Sequence, residues 1–328
     1  MAASALKRSP SSIDALGEGI SHMREKLFPF SFVGWVTLGF VSLLESCGSG
    51  SSGGIQNPGG TSRSIEDPVK MVEAAFGWIA THMILFVSVL MLLMVVSLIV
   101  MWLRSRAIFV YIDDVASGRF DLIRPWGEHG AHADSFFLVS LVVQGASFIL
   151  MVLVLGLGGF FVLWAKANNW AGGAIALVVI PIAFLFALSV LVAAILSMVL
   201  RDFIAPLQIT RNAGAKEAGS VFLSMFSANP GLLIGYAILK LVVSIAMGLV
   251  ILIGGCMTCC LGLLPLVNQT LFQPIYFAER AWSLKLLAQM GEDVFGKLNP
   301  PKDSGPWPDD APTGPIDLSA IDFETPQR

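Results

Sequence analysis

The sequence is poor in charge. Asp, Glu, Lys and Arg make up 13% of its 328 residues, where a water-soluble domain carries about a quarter. The net charge of −3 provides no basic field, which argues against a nucleic-acid partner. Four cysteines, Cys47, Cys256, Cys259 and Cys260, are too few for a disulfide-stapled secreted scaffold. There is no Walker phosphate loop, no Gly-x-Ser-x-Gly elbow and no HExxH zinc helix. The adjacent Asp113 and Asp114 do not fill that gap, because neighbours on a helix point about 100° apart. No enzymatic activity and no cofactor is therefore expected. What is abundant is apolar: 55% hydrophobic residues and a mean hydropathy of +0.76 place the chain in a bilayer.

A crossing helix needs about 20 mostly apolar residues. Six runs qualify as candidates: Phe28–Leu44, Phe76–Leu103, Ser135–Ala165, Gly173–Leu200, Gly231–Gly255 and Leu261–Ala278. Pro181 and Pro265 fall inside runs, which lipid tolerates when neighbours satisfy the freed carbonyls. Sixteen Lys and Arg lie on one side of these runs; the other side holds only Arg63, Lys70 and Lys166. The positive-inside bias then puts both termini in the cytoplasm. Read from Met23, the first run resembles a lipoprotein signal ending at Cys47. Glu45 occupies the place of a small residue, however, and a polar segment precedes the run, so an uncleaved span is expected.

The sequence also repeats. Phe109–Gly159 and Phe203–Gly255 each begin after an Arg-flanked span end, pass through a polar stretch and close an apolar run on Gly-Gly. A fainter copy sets Pro29, Gly34 and Trp35 against Pro230, Gly235 and Tyr236. The expected fold class is all-α, a polytopic membrane protein with six transmembrane helices as three parallel two-span repeats, joined by cytoplasmic amphipathic helices. Three apolar stripes carry the amphipathic reading: Ile13, Leu16, Ile20, Met23 and Leu27; Ile108, Ile112 and Val115 opposite Asp113 and Asp114; and Val221, Phe222, Met225 and Phe226. Such helices either lie in the membrane interface or pack on one another as a cap. The domain reading is 1–27 as a cytoplasmic N-terminal amphipathic segment, 28–290 as a six-span membrane domain and 291–328 as a disordered cytoplasmic tail, rich in Pro and Asp. Residues 48–60 read as a flexible outer loop.

The order of segments "KLFPFSFVGWVTLGF", "LRSRAIFVYIDDV", "RDFIAPL", "GLLIGYAILKLV" and "FAERAWSLKLLAQMG" resembles an uncharacterised family of prokaryotic six-span membrane proteins. Related sequences are sometimes labelled as similar to the membrane domain of glycerophosphodiester phosphodiesterases. The resemblance runs to about Phe295. It implies a membrane fold and a prokaryotic inner membrane, and brings no phosphodiesterase site, because the soluble catalytic barrel of those enzymes has no counterpart.

Three constellations have the residue types for chemistry. "EHGAHAD" offers Glu128, His129, His132 and Asp134 as metal ligands, but Gly130 weakens the helix that would align the two histidines, and no metal is expected. The outer cysteines can pair with Cys47, join it in binding zinc, or serve as small apolar residues. Lys240 interrupts an apolar run about 13 Å from Gly231 along a helix, near the bilayer midplane on the expected topology. No Asp or Glu lies inside any of the six runs, so Lys240 either extends its stem to the cytoplasmic headgroups or faces inward onto amides. Gln144 is its counterpart in the repeat, and Asn268 and Gln273 lie on the antiparallel sixth run. Lys240, Gln144, Gln273 and Asn268 are the candidate binding residues. A structural or interaction role at the membrane is the first expectation. Its alternative is a transporter or lipid-handling protein with a polar site at Lys240. Membrane lipids are the expected partners, and an anionic small molecule or lipid headgroup is the ligand class that suits the lysine.

Overall fold

The computed structural model describes residues 10–28, 30–47, 77–78, 81–168, 170, 172–257 and 264–299. Their regular structure is entirely helical. In chain order the elements are α1 (Ser12–Leu27), α2 (Phe32–Ser46), α3 (Met83–Ser117), α4 (Ile123–Glu128), α5 (Gly130–Ala167), α6 (Gly172–Val199), a π-helical turn (Leu200–Ile204), α7 (Ala205–Arg211), α8 (Ala215–Ala228), α9 (Pro230–Met257), α10 (Pro265–Leu271), α11 (Gln273–Gln289) and α12 (Val294–Leu298). The outer loop at residues 48–60, Cys259, Cys260 and residues 300–328 lie outside the described residues, as does the Cys256 side chain. Cys47 is a free thiol.

Among the described residues, four stretches are long and apolar enough to cross a membrane: Met83–Ser117, Gly130–Ala165, Leu177–Arg211 and Pro230–Gly254. They match four of the six expected runs. The first run is short, with 15 residues in α2, about 22 Å of helix. The last is interrupted at Phe272, where α10 stops and α11 restarts with Pro274 in its first turn.

Each long helix has two environments. On α3, Met83 to Met94 present their side chains outward; Ile84, for example, is 86% exposed. From Ala107 to Ser117 the same helix is buried on every face. Nothing interrupts it before Gly118, which adopts φ +71° and whose N–H caps the Asp114 carbonyl at 2.8 Å. The buried segment is the centre of a compact core. α1, α2, α11, α12 and the start of α9 pack around it, with Trp282, Tyr236, Phe203 and Phe277 filling the space between. Small residues bring the helices close. A Cβ at Gly19 would lie 2.9 Å from the Trp282 backbone nitrogen, so α1 and α11 meet nearly backbone to backbone.

This core changes two of the apolar stripes. On α1 the buried residues are Ala15, Gly19, His22 and Leu27, while Ile13 is 71% exposed. The close approach selects small residues and leaves Ile13 and Ile20 outside. On α3 no polar face exists: Asp113 and Asp114 are as buried as Ile112. On α8, Val221, Phe222 and Met225 of the stripe pack on the core, while its fourth member, Phe226, is exposed like Leu223. Beyond residue 290 the chain continues in ordered form through α12. Val294 is buried there, and the Asn299 amide donates to the Ala116 carbonyl at 2.9 Å.

Candidate functional site

The candidate site lies where the apolar spans enter the core. Three arginines mark that level, one at each point where a helix continues inward: Arg104 on α3, Arg201 in the π-helical turn and Arg280 on α11. Glu45, at the end of α2, is 4% exposed and accepts from Arg201 Nε at 2.5 Å and from Arg280. Arg280 also donates to the Arg201 carbonyl at 2.8 Å. The π-helical turn adds a residue to the helical register, a feature frequent at functional sites. Asp202 lies within this turn and meets Lys240 of α9.

Lys240 is therefore not surrounded by amides. Its ammonium donates to Asp202, lies 3.1 Å from Glu279 and donates to Tyr236 Oη at 3.3 Å. Tyr236 in turn donates to Asp202 at 3.0 Å and is wedged edge-on between Phe203 and Trp282. Glu279 also reaches Arg201 at 3.5 Å. The expectation that Lys240 lacks a carboxylate partner is overturned. The acids come from just beyond the ends of the fourth and sixth runs, and α9 descends alongside those ends before it reaches the lysine.

The four candidate residues part company. Lys240 and Gln144 line one groove of about 870 Å³ between α5, α6 and α9. Its floor is charged, formed by Arg104, Arg201, Asp202, Lys240 and Glu279. Its walls are apolar and outward-facing, and include Phe148, Leu191, Ile238 and Leu241. Gln273 does not line it; it is fully buried and donates to Tyr111 Oη at 2.9 Å. Asn268 accepts from Tyr276 Oη at 2.9 Å. Gln273 thus fastens α11 to α3, and Asn268 fastens α10 to α11.

The network holds four cations, Arg104, Arg201, Lys240 and Arg280, against three anions, Glu45, Asp202 and Glu279. Every carboxylate is engaged by at least two donors. Arg104 is the cation left over: its Nε is buried without a hydrogen-bond partner, and it closes no ion pair among the described residues. The sequence pointed to Lys240 and Gln144 but not to the three arginines, which read simply as loop charges. Their recurrence just past the ends of apolar runs was the available signal. Glu45 was visible too, as an acid misplaced for a signal sequence.

"EHGAHAD" disperses into four separate contacts. Glu128 pairs with Arg124 at 2.7 Å, His129 Nε2 lies 3.1 Å from Asp113, His132 Nε2 meets Asn212 at 3.1 Å and Asp134 pairs with Arg106 at 3.1 Å. The ligand atoms of Asp113, Glu128 and His129 come within 4.8 Å of one another. Arg124 bridges the two carboxylates, however, reaching Asp113 at 2.5 Å, and so supplies the positive charge that a metal would bring.

No curated protein and no solved structure matches the chain. One family matches over residues 10–288, which takes in the four long apolar stretches, the core apart from α12, and the charged floor of the groove. The chain belongs to the family of unknown function DUF7544.

Proposed function

We propose that this is a multi-pass protein of a prokaryotic inner membrane, with both termini cytoplasmic, that holds a membrane lipid in the groove between α5, α6 and α9. The supporting observation is the form of the groove: a charged floor beneath apolar walls that face outward into the membrane-crossing zone. An amphiphile has the same two-part chemistry, and lipid-facing clefts with a few fixed polar groups suit such ligands.

The depth of the floor supports this reading. From Met83 to Leu103 is about 31 Å of helix at 1.5 Å per residue, close to the thickness of about 30 Å of a hydrocarbon core. Trp78 and Trp102 stand near the two ends of that stretch, where interfacial tryptophans are expected. The boundary then passes through Arg104, and Lys240 sits at headgroup depth rather than at the midplane. The first ten residues of α9 flank the core and do not count toward the crossing. On this reading α2 and the α10–α11 segment are the short members of three hairpins. The recurrence of Arg104, Arg201 and Arg280, each followed by a left-handed residue at Gly118, Asn212 or Gly291, supports a threefold repeat. No catalytic step is assigned, since the buried carboxylates of the site are neutralised by arginine and lysine.

The test is lipid retention. Protein extracted into lipid nanodiscs and transferred to native mass spectrometry should carry bound lipid, and Ala237→Trp, which fills the groove, should lose it. A wild-type protein that sheds all lipid under conditions preserving its fold would favour the scaffold role instead.

A further inference from the structure

We propose that the groove selects a lipid with a single net negative charge on a phosphodiester, and that Arg104, aided by Gln144, reads the phosphate. This inference rests on the lipid reading above and adds the headgroup class and the residue that recognises it.

Charge balance carries the argument. Glu45 is shared by Arg201 and Arg280, Asp202 by Lys240 and Tyr236, and Glu279 by Lys240 and Arg201. No carboxylate pairs directly with Arg104 among the described residues; the charge of Glu45 acts on it through space, but that carboxylate is bonded to Arg201 and Arg280. A buried donor without an acceptor costs free energy, and native structures rarely leave one. Ser140 Oγ on the facing helix is in the same condition: the residue is 4% exposed and its hydroxyl has no partner. The two groups border one recess of about 10 Å³, room for about one water. Arg104, Gln144, Ser197 and Arg201 line both this recess and the large groove. One water in the recess can serve Ser140 and Arg104 Nε, while Arg104 also lines the groove, where an anion can reach its guanidinium. Gln144 makes no hydrogen bond among the described residues and lies on the same helix as Ser140, four residues further along.

A guanidinium is the side chain best matched to phosphate, since its fork donates two parallel bonds. A phosphodiester monoanion brings the site to neutrality. A dianion would face Asp202 and Glu279 with one charge unmatched. A zwitterionic headgroup would leave the original positive charge in place.

The experiment uses the full chain in nanodiscs of phosphatidylglycerol and phosphatidylethanolamine at equal mole fraction, with the two lipids counted on the protein by native mass spectrometry. The wild type should enrich phosphatidylglycerol. Arg104→Gln should still retain lipid but lose about tenfold of that preference, Arg104→Lys should keep part of it, and Gln144→Leu, at a partly buried position without a hydrogen bond among the described residues, should weaken it with little effect on thermal stability. Retained lipid without headgroup preference, or an unchanged preference in both Arg104→Gln and Gln144→Leu, overturns the inference while leaving the lipid reading intact. Failure of the wild type to retain lipid, or retention undiminished in Ala237→Trp, overturns the lipid reading and with it the inference. Soluble glycerol phosphate displacing the lipid at micromolar concentration would mean that the site takes a free anion, and overturns the lipid as its source.

Discussion

Replacing Lys240 with methionine keeps the length of the side chain and removes its charge. The lysine is 7% exposed and touches Asp202, Glu279 and Tyr236. Removing one partner of a buried ion pair typically costs about 3–5 kcal/mol, because the remaining charge is stranded. Here both acids keep something. Glu279 retains Arg201 at 3.5 Å, and Asp202 retains the Tyr236 hydroxyl at 3.0 Å and Arg280 at 3.7 Å. The lower end, about 3 kcal/mol, is therefore expected. Adding Asp202→Asn removes the stranded charge, so the double variant should lie closer to the wild type than the sum of the two singles, by about 2 kcal/mol of coupling. Lys240→Glu should be worse than methionine, since it adds a third acid to two. Equilibrium unfolding in mixed detergent micelles measures the wild type and all four variants. A harmless Lys240→Met, as a lysine extended into lipid headgroups would give, refutes the buried network. So does simple additivity of the two singles.

Gly19→Leu should detach α1 from α11, because even a Cβ would meet the Trp282 backbone at 2.9 Å; faster amide exchange across Ser12–Leu27 is the expected signature, and unchanged exchange would contradict the contact. His22 packs on Phe277 and Phe295 with Nε2 at 2.8 Å from the Val115 carbonyl, and burial holds its pKa below the ordinary histidine value of 6.5, with nearby Lys285 and Lys26 acting in the same direction and Glu25 against it. Below that value the unfolded chain takes up a proton that the folded state resists, so stability should be full above pH 6.5 and fall as the pH drops toward the folded pKa; melting curves across that range should lose part of their pH slope in His22→Gln. The charge bias predicts that cysteines introduced at Ala131 and Gly214, in a cysteine-free background, escape an impermeant reagent applied to sealed cells, and labelling there would invert the topology.

Composition alone determined a good deal. Apolar runs longer than 20 residues have few folded outcomes other than crossing helices, because only a helix satisfies its own backbone in lipid. That is why α3, α5, α6 and α9 were legible, and why the Arg-flanked span ends were visible as punctuation. The tertiary structure decided where each helix leaves the membrane zone. Val110 and Ile112 are as hydrophobic as Val95 and Ile99, yet the first pair is fully buried in protein and the second is half-exposed or more. A hydropathy window cannot separate a protein interior from lipid, since both exclude water. The partners of Lys240 were hidden for a related reason. Asp202 and Glu279 lie 38 and 39 residues away along the chain, at the ends of other helices. Only the packing of α9 against the π-helical turn and α11 brings the three charges to one depth. The same packing satisfies every acid at the site and leaves Arg104 without one.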